Sequence, residues 1–292
     1  MASAYLEIIR PKQWYKNLLV FVGVVFAKKI GEYDLVLLAI VGFLSFCALS
    51  GAVYILNDIV DRDRDKQHPR KSLRPIPSGR ISVSSASVYG AILLAAGTVA
   101  AYWIGWEFLV VASIYLVFTT AYSLTLKNVV ILDAILVAVG FVLRALAGTV
   151  AVSVPISPWL VISVFLLALF LTFGKRRHEL AVLGEDAHNH REILKHYTPS
   201  MVENMMNIST ATLIMAYAMY TFLAANEYMM FTIPFAVYGL LRYTFLVHTA
   251  NEGGEPELIF KDIPTVVNIV LWMVAVFVIL YYAPSDSGFF GG

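Results

Sequence analysis

Cysteine occurs once in the 292 residues, as Cys47, so no internal disulfide framework braces this chain. Charge is scarce too: 14% of the residues are Asp, Glu, Lys or Arg, against about a quarter in soluble domains. With so few charges the composition excludes a disordered polymer, and a net charge of +1 points to no nucleic-acid partner. What is abundant is apolar surface, with 59% hydrophobic residues and a mean hydropathy of +0.75. An ordinary water-soluble domain is therefore excluded. At roughly 30 residues per span and connection, the length accommodates about nine membrane helices.

Apolar runs fall at Leu18–Lys28, Leu35–Ile59, Val83–Trp103, Phe108–Leu124 and Val129–Val154, then at Trp159–Phe173, Ile208–Ala225, Met229–Val247 and Val266–Ala283. The first is short and closes on Lys28-Lys29, two side chains able to snorkel to an interface. No small-residue cleavage site follows it, so a retained anchor is expected rather than a signal peptide. The fold class predicted is all-α, a polytopic bundle of about nine helices forming a single catalytic domain over residues 1–292. With the N-terminus cytoplasmic, 18 of the 21 Lys and Arg residues fall inside, as the positive-inside rule requires. The outer connections are short and nearly uncharged. Two inner ones, Arg62–Ser82 and Lys175–Glu203, are long and charged, and loops of that kind commonly carry function.

The second run ends in Asn57-Asp58-Ile59-Val60-Asp61-Arg62-Asp63-Arg64-Asp65. On a continuous helix Asp58, Asp61 and Asp65 fall within about 60° of one another, and Asn57 widens that arc to about 100°. Asp63 points elsewhere. Gathering like charges on one face is costly unless a cation lies between them. Hard oxygen ligands suit Mg²⁺, which takes one or two carboxylates, waters and substrate phosphates. The expected site is a Mg²⁺–diphosphate centre held by Asn57, Asp58, Asp61 and Asp65. A solvated helix end neutralised by Arg62, Arg64 and Lys66 is the competing reading, but polar residues directly following a continuous apolar span are usually functional. The next segment, His68 to Gly79, contains three prolines and offers Arg70, Lys71 and Arg74 to anions.

These residues carry a resemblance. Asn-Asp-x-x-Asp-x-x-x-Asp followed by His-Pro-x-Lys-x-x-Arg-Pro-Ile-x-x-Gly resembles the first signature of the UbiA superfamily of intramembrane prenyltransferases. That resemblance implies a nine-helix bundle with a cytoplasmic Mg²⁺–diphosphate cavity. Tyr122 to Lys127 followed by Asp133 is similar to a tyrosine–lysine–aspartate element of the same superfamily. The usual aromatic prenyltransferases have a second acidic motif near the inner end of the sixth span; here that place reads Gly174-Lys175-Arg176-Arg177-His178-Glu179. Arg10 to Asn17, which includes Lys16, Phe141 to Gly148, and Gly174 to Leu180 resemble the decaprenyl-phosphate phosphoribosyltransferase branch. By that resemblance the donor is phosphoribosyl pyrophosphate, the acceptor a polyprenyl phosphate, and the product a precursor of cell-envelope glycolipids.

The donor's separate 5-phosphate calls for a second basic patch, which Lys127, Lys175 and Arg176 can supply. The same residues also serve as helix-end anchors under the positive-inside rule. Arg144, halfway down the fifth span, is expected either to pair with an acid or to meet the acceptor phosphate. Asp133 either completes the metal shell or orients Lys127. Glu257 and Asp262 are expected to be solvated, and His178, His188, His190 and His196 to form a charged surface. The expected setting is the inner (plasma) membrane with the site facing the cytoplasm, and a homo-oligomer is compatible with the chain. Two competing functions remain: isoprenyl transfer from an isoprenyl diphosphate to an aromatic or other small acceptor, and solute transport. Transporter acids should lie nearer mid-membrane than these do.

Overall fold

A computed structural model describes residues 2–67, 71–183, 192–223, 226–249 and 259–284, and every regular element within them is helical. The α-helices are α1 (Ala2–Ile8), α2 (Val22–Phe26), α3 (Tyr33–Val60), α4 (Arg62–Lys66), α5 (Val83–Ile104) and α6 (Trp106–Leu124). They continue as α7 (Leu132–Ala151), α8 (Pro158–Leu183), α9 (Pro199–Leu223), α10 (Ile233–Thr249) and α11 (Ile263–Tyr282). Among the described residues, seven helical stretches are long and apolar enough to cross a membrane. Lipid offers no hydrogen bonds to an open backbone, so apolar runs of this length close into helices. The chain is an integral membrane protein.

Two of the nine expected runs have a different character. Leu18–Lys28 lies across a 3-10 helix, Pro11–Phe21, and the short α2. At about 2.0 and 1.5 Å rise per residue these two elements cover roughly 30 Å, close to a hydrocarbon core, without forming one long α-helix. The described part of the run expected at Ile208–Ala225 lies in the 25-residue α9, which ends at Leu223 and whose hydroxyl and amide side chains leave it outside the seven apolar stretches. Its hydroxyls are satisfied internally: Ser209, Thr210 and Thr212 donate to carbonyls one turn earlier at 2.7–2.9 Å. Helix α8 also continues ten residues past its apolar run, so Gly174 to Leu183 is helix rather than loop.

The chain divides into two compact units, Met1–Lys127 with Gly140–Pro155, and Asn128–Val139 with Ile156–Gly292. In the first, α3 packs chiefly against α5, α6 and the 3-10 helix. A cluster of Ile8, Ile9, Ile55, Ile76, Ile81 and Ala86 lies beneath its charged loop. Glu7 of α1 is tied to that loop by a bidentate pair with Arg80, at 2.7 and 2.9 Å. In the second unit α8 packs chiefly against α9, and the core gathers Phe170, Phe173, Ile193, Leu194, Met206 and Tyr243. His178 is buried in this unit, contrary to the expected charged surface, because α8 extends far enough to carry it into the packing. His196 is exposed as expected; Arg70, His188, His190 and Glu257 lie outside the described residues.

Asp262 differs from the expected solvated carboxylate. It accepts two bonds from Arg242, at 2.8 and 3.1 Å, and caps α11 by accepting from the Thr265 amide and hydroxyl. The Arg242 hydrogen bond, more than the capping bonds, holds its carboxyl well below the usual carboxylate range. A depressed folded pKa contributes stability above the ordinary value of about 4 that is lost as pH falls toward the folded one. The melting temperature should therefore drop on acidification below pH ~4, and Asp262→Asn should flatten that part of the profile. A variant profile parallel to wild type would count against the clamp.

Candidate functional site

Helix α3 delivers Asp58 buried near its C-terminal end, 1% exposed, and then breaks at Asp61, whose φ of −85° and ψ of 4° end the α3 ladder. Because α4 resumes separately, the three carboxylates do not form the continuous face that a single helix predicts. Asp58 and Asp65 converge on one cation. Arg74 Nη1 donates to Asp58 Oδ1 at 3.1 Å and to Asp65 Oδ2 at 2.8 Å. Arg10 donates to Asp58 Oδ1 at 2.6 Å, and Lys71 Nζ lies 3.9 Å from Asp65. Asp61 turns instead to Lys127, which donates to both of its oxygens at 3.1 and 2.9 Å. Asp63 is exposed on Lys66, as its helix angle predicts.

Among the described residues no three His, Cys, Asp or Glu side chains are gathered around a single point that could hold a metal. Two carboxylates do meet around a positive charge, however. The Arg74 nitrogen occupies the kind of bridging position a divalent ion takes, and both carboxylates are nearly inaccessible to water. Two such ligands with waters and substrate phosphates match the sphere Mg²⁺ prefers, so Asp58 and Asp65 fit that ion. Asn57 is half-buried one turn before Asp61.

Several expected site residues belong to other groupings. Arg144 is buried in a network of neutral partners: its guanidinium donates to Asn17 Oδ1 at 2.7 Å, to the Gly140 carbonyl at 2.8 Å and to Tyr115 Oη at 2.7 Å. Its guanidinium carbon also lies 4.6 Å from the Tyr115 ring centroid. No described carboxylate pairs with it, so neither an acid partner nor an anion is needed to explain its position. Lys16 is half-buried with its ammonium 5.8 Å from the Tyr15 ring centroid, and Tyr122 is half-buried in the last turn of α6. In the second unit Arg176 forms a fully buried ion pair with Asp133, while Lys175 on the same helix is half-buried. Asp133 thus holds the Arg176 guanidinium in place.

Two residues escape the sequence reading. Arg10, in the left-handed region at φ 50°, belongs to a segment that carries the resemblance but not to the expected site, although the following Pro11 is a hint that the chain turns there. Tyr197 donates to Asp133 at 3.3 Å and lies within a polar connection where helical periodicity gives no signal. Burial pushes its hydroxyl pKa up, which keeps it a donor across the physiological range.

A family model described as the UbiA prenyltransferase family matches residues 17–261. The chain is 29% identical to the decaprenyl-phosphate phosphoribosyltransferase of Mycolicibacterium smegmatis, over 97% of this chain and 94% of that protein. It is 28% identical to the protein of the same name from Corynebacterium glutamicum, over 97% and 89% of the two chains. Its fold is similar to that of a UbiA homolog from Archaeoglobus fulgidus bound to GPP and Mg²⁺, with a TM-score of 0.73, 21% identity, and 95% and 99% coverage. The matched region holds both the acid motif of α3 and the basic segment of α8, and the chain belongs to the UbiA prenyltransferase family.

Proposed function

We propose that this protein transfers the 5-phosphoribosyl group of phosphoribosyl pyrophosphate to a polyprenyl phosphate of the decaprenyl type, releasing pyrophosphate, with Mg²⁺ as cofactor. The observation that carries this reading is near-full-length similarity to two proteins named for decaprenyl-phosphate phosphoribosyl transfer. The basic segment Gly174-Lys175-Arg176-Arg177 agrees with it, since it stands where aromatic prenyltransferases need a second pair of acids. In this reading the N-terminus and the acid motif face the cytoplasm across the inner membrane, on the side where the basic residues concentrate.

Asp58 and Asp65 would hold the ion, with Asp61 turned by Lys127 at the break between α3 and α4. An ion held by these carboxylates would supply the positive charge that offsets the negative charge growing on the leaving group. Arg74 and Arg10, both already bound to carboxylate oxygens, can exchange those acceptors for phosphate oxygens, which suit guanidinium equally well. An oxygen of the acceptor phosphate attacks ribosyl C1 as the bond from C1 to the pyrophosphate oxygen breaks, inverting that carbon through an oxocarbenium-like transition state. The acceptor is already anionic near neutral pH, so the step needs no general base.

Purified full-length protein, supplied with ribose-labelled phosphoribosyl pyrophosphate, polyprenyl phosphate and Mg²⁺, should move label into the lipid fraction. Chelation with EDTA should stop transfer and added Mg²⁺ should restore it. Isoprenyl transfer from an isoprenyl diphosphate to an aromatic acceptor, with no ribose label reaching lipid, would replace this reading with the conventional family activity.

A further inference from the structure

We propose that Tyr197 is a positioning residue whose one hydroxyl holds the left-handed backbone at Ile131 and the carboxylate of Asp133, and thereby fixes Arg176 as a ligand for a phosphate group. Ile131 has φ +68°, a region that a β-branched side chain rarely occupies without compensation. Its own side chain is exposed, so side-chain burial does not impose that conformation. Hydrogen bonds do. The Ile131 amide donates to Tyr197 Oη at 2.7 Å, and its carbonyl accepts from the Ala134 and Ile135 amides at 3.0 and 3.1 Å, opening the ladder of α7. The left-handed residue thus sets where α7 begins and where Asp133 points.

Tyr197 is itself well fixed. It is 4% exposed and follows the fully buried Ile193 and Leu194. Its hydroxyl accepts from the Ile131 amide and donates to Asp133 Oδ1. Asp133 pairs through Oδ2 with Arg176, which is 1% exposed and has its guanidinium 5.7 Å from the Tyr197 ring centroid. Arg176 Nε and Nη1 are buried without a hydrogen-bond acceptor among the described residues. Buried guanidinium donors left unmatched are costly, and an anion with several acceptor oxygens removes that cost. The phosphate identity rests on the proposed function, in which donor and acceptor both carry phosphate groups.

The test compares Tyr197→Phe, Ile131→Gly and the double variant as full-length protein in detergent. Tyr197→Phe should raise the KM for one phosphorylated substrate about tenfold, the scale of one lost hydrogen bond, with kcat nearly unchanged. A rise for phosphoribosyl pyrophosphate assigns the group to the donor, and a rise for polyprenyl phosphate assigns it to the lipid. Glycine adopts the left-handed conformation without penalty, so adding Ile131→Gly should recover most of the lost KM. Hydrogen exchange over residues 126–133 should accelerate in Tyr197→Phe. Unchanged KM values, a fall in kcat alone, or no recovery in the double variant would overturn the proposal. Should Tyr197→Phe fail to fold, Ile131→Gly alone decides: unaltered KM with equal or higher thermal stability supports the tie, and lower stability overturns it. Wild-type protein inert toward phosphoribosyl pyrophosphate would sink the transfer reading and the phosphate identity with it. The exchange measurement then judges the tie by itself, with unchanged exchange overturning it.

Discussion

Asp58→Asn should lower kcat/KM for phosphoribosyl transfer by about a thousandfold or more, roughly 4 kcal/mol of transition-state stabilisation, while the protein still folds. The substitution keeps size and shape but removes one of the two negative charges that meet around Arg74 Nη1. A two-carboxylate metal site that loses one charge loses both affinity for the ion and command of its position. Folding should survive because Arg10 and Arg74 keep 27% and 31% of their side-chain surface in solvent, and Arg74 retains Asp65. Asp61→Asn should also lower turnover with normal expression, by a smaller factor, since it frees Lys127, a candidate phosphate ligand, from the carboxylate that positions it. Asp63→Asn supplies the internal control: that carboxylate is 86% exposed on Lys66, and activity should stay within about twofold of wild type. Equal activity for Asp58→Asn and Asp63→Asn would remove the metal role from the acid motif.

Much of the fold was legible because a bilayer leaves an apolar run few alternatives. The runs from Leu35, Val83, Phe108 and Val266 became helices that begin within about three residues of those positions. The acid motif was legible for a related reason: Asn57 and Asp58 directly follow an apolar span, where polarity needs a cause. Periodicity could not foresee the break at Asp61. The turn to Lys127 depends on a partner 66 positions away, and local angles carry no record of it. Arg144 shows the same limit from the other side. Its depth was readable, but its neutral partners Asn17 and Tyr115 come from two distant segments. The expectation that Asp262 is solvated failed because Arg242 lies a helix away in sequence and adjacent in space.

Gly148→Ala should be the most damaging glycine-to-alanine change among the described residues, costing about 3 kcal/mol or more and leaving little folded protein after detergent extraction. A Cβ on Gly148 would lie 2.6 Å from the carbonyl carbon of Val20 and 2.8 Å from its Cα. A Cβ on Gly23 would meet the Gly148 carbonyl carbon at 2.7 Å and Thr149 Cα at 2.8 Å. All of these neighbours are backbone, so no rotamer change can make room. The segment from Pro11 to Phe26 must separate from α7 instead. Small residues that let two backbones touch are the usual means of close packing inside a membrane, where burial in lipid supplies little drive between helices. Separation would also pull Asn17 from Arg144 and leave that buried guanidinium short of an acceptor, adding the cost of an unmet charge to the cost of the gap. Gly140, two turns earlier on the same helix, isolates the effect. A Cβ there meets only Arg144 Nη1 at 3.5 Å, an ordinary contact, so Gly140→Ala should melt within a few degrees of wild type. Comparable melting temperatures for the two variants would mean that the 3-10 segment and α7 are not held in backbone contact.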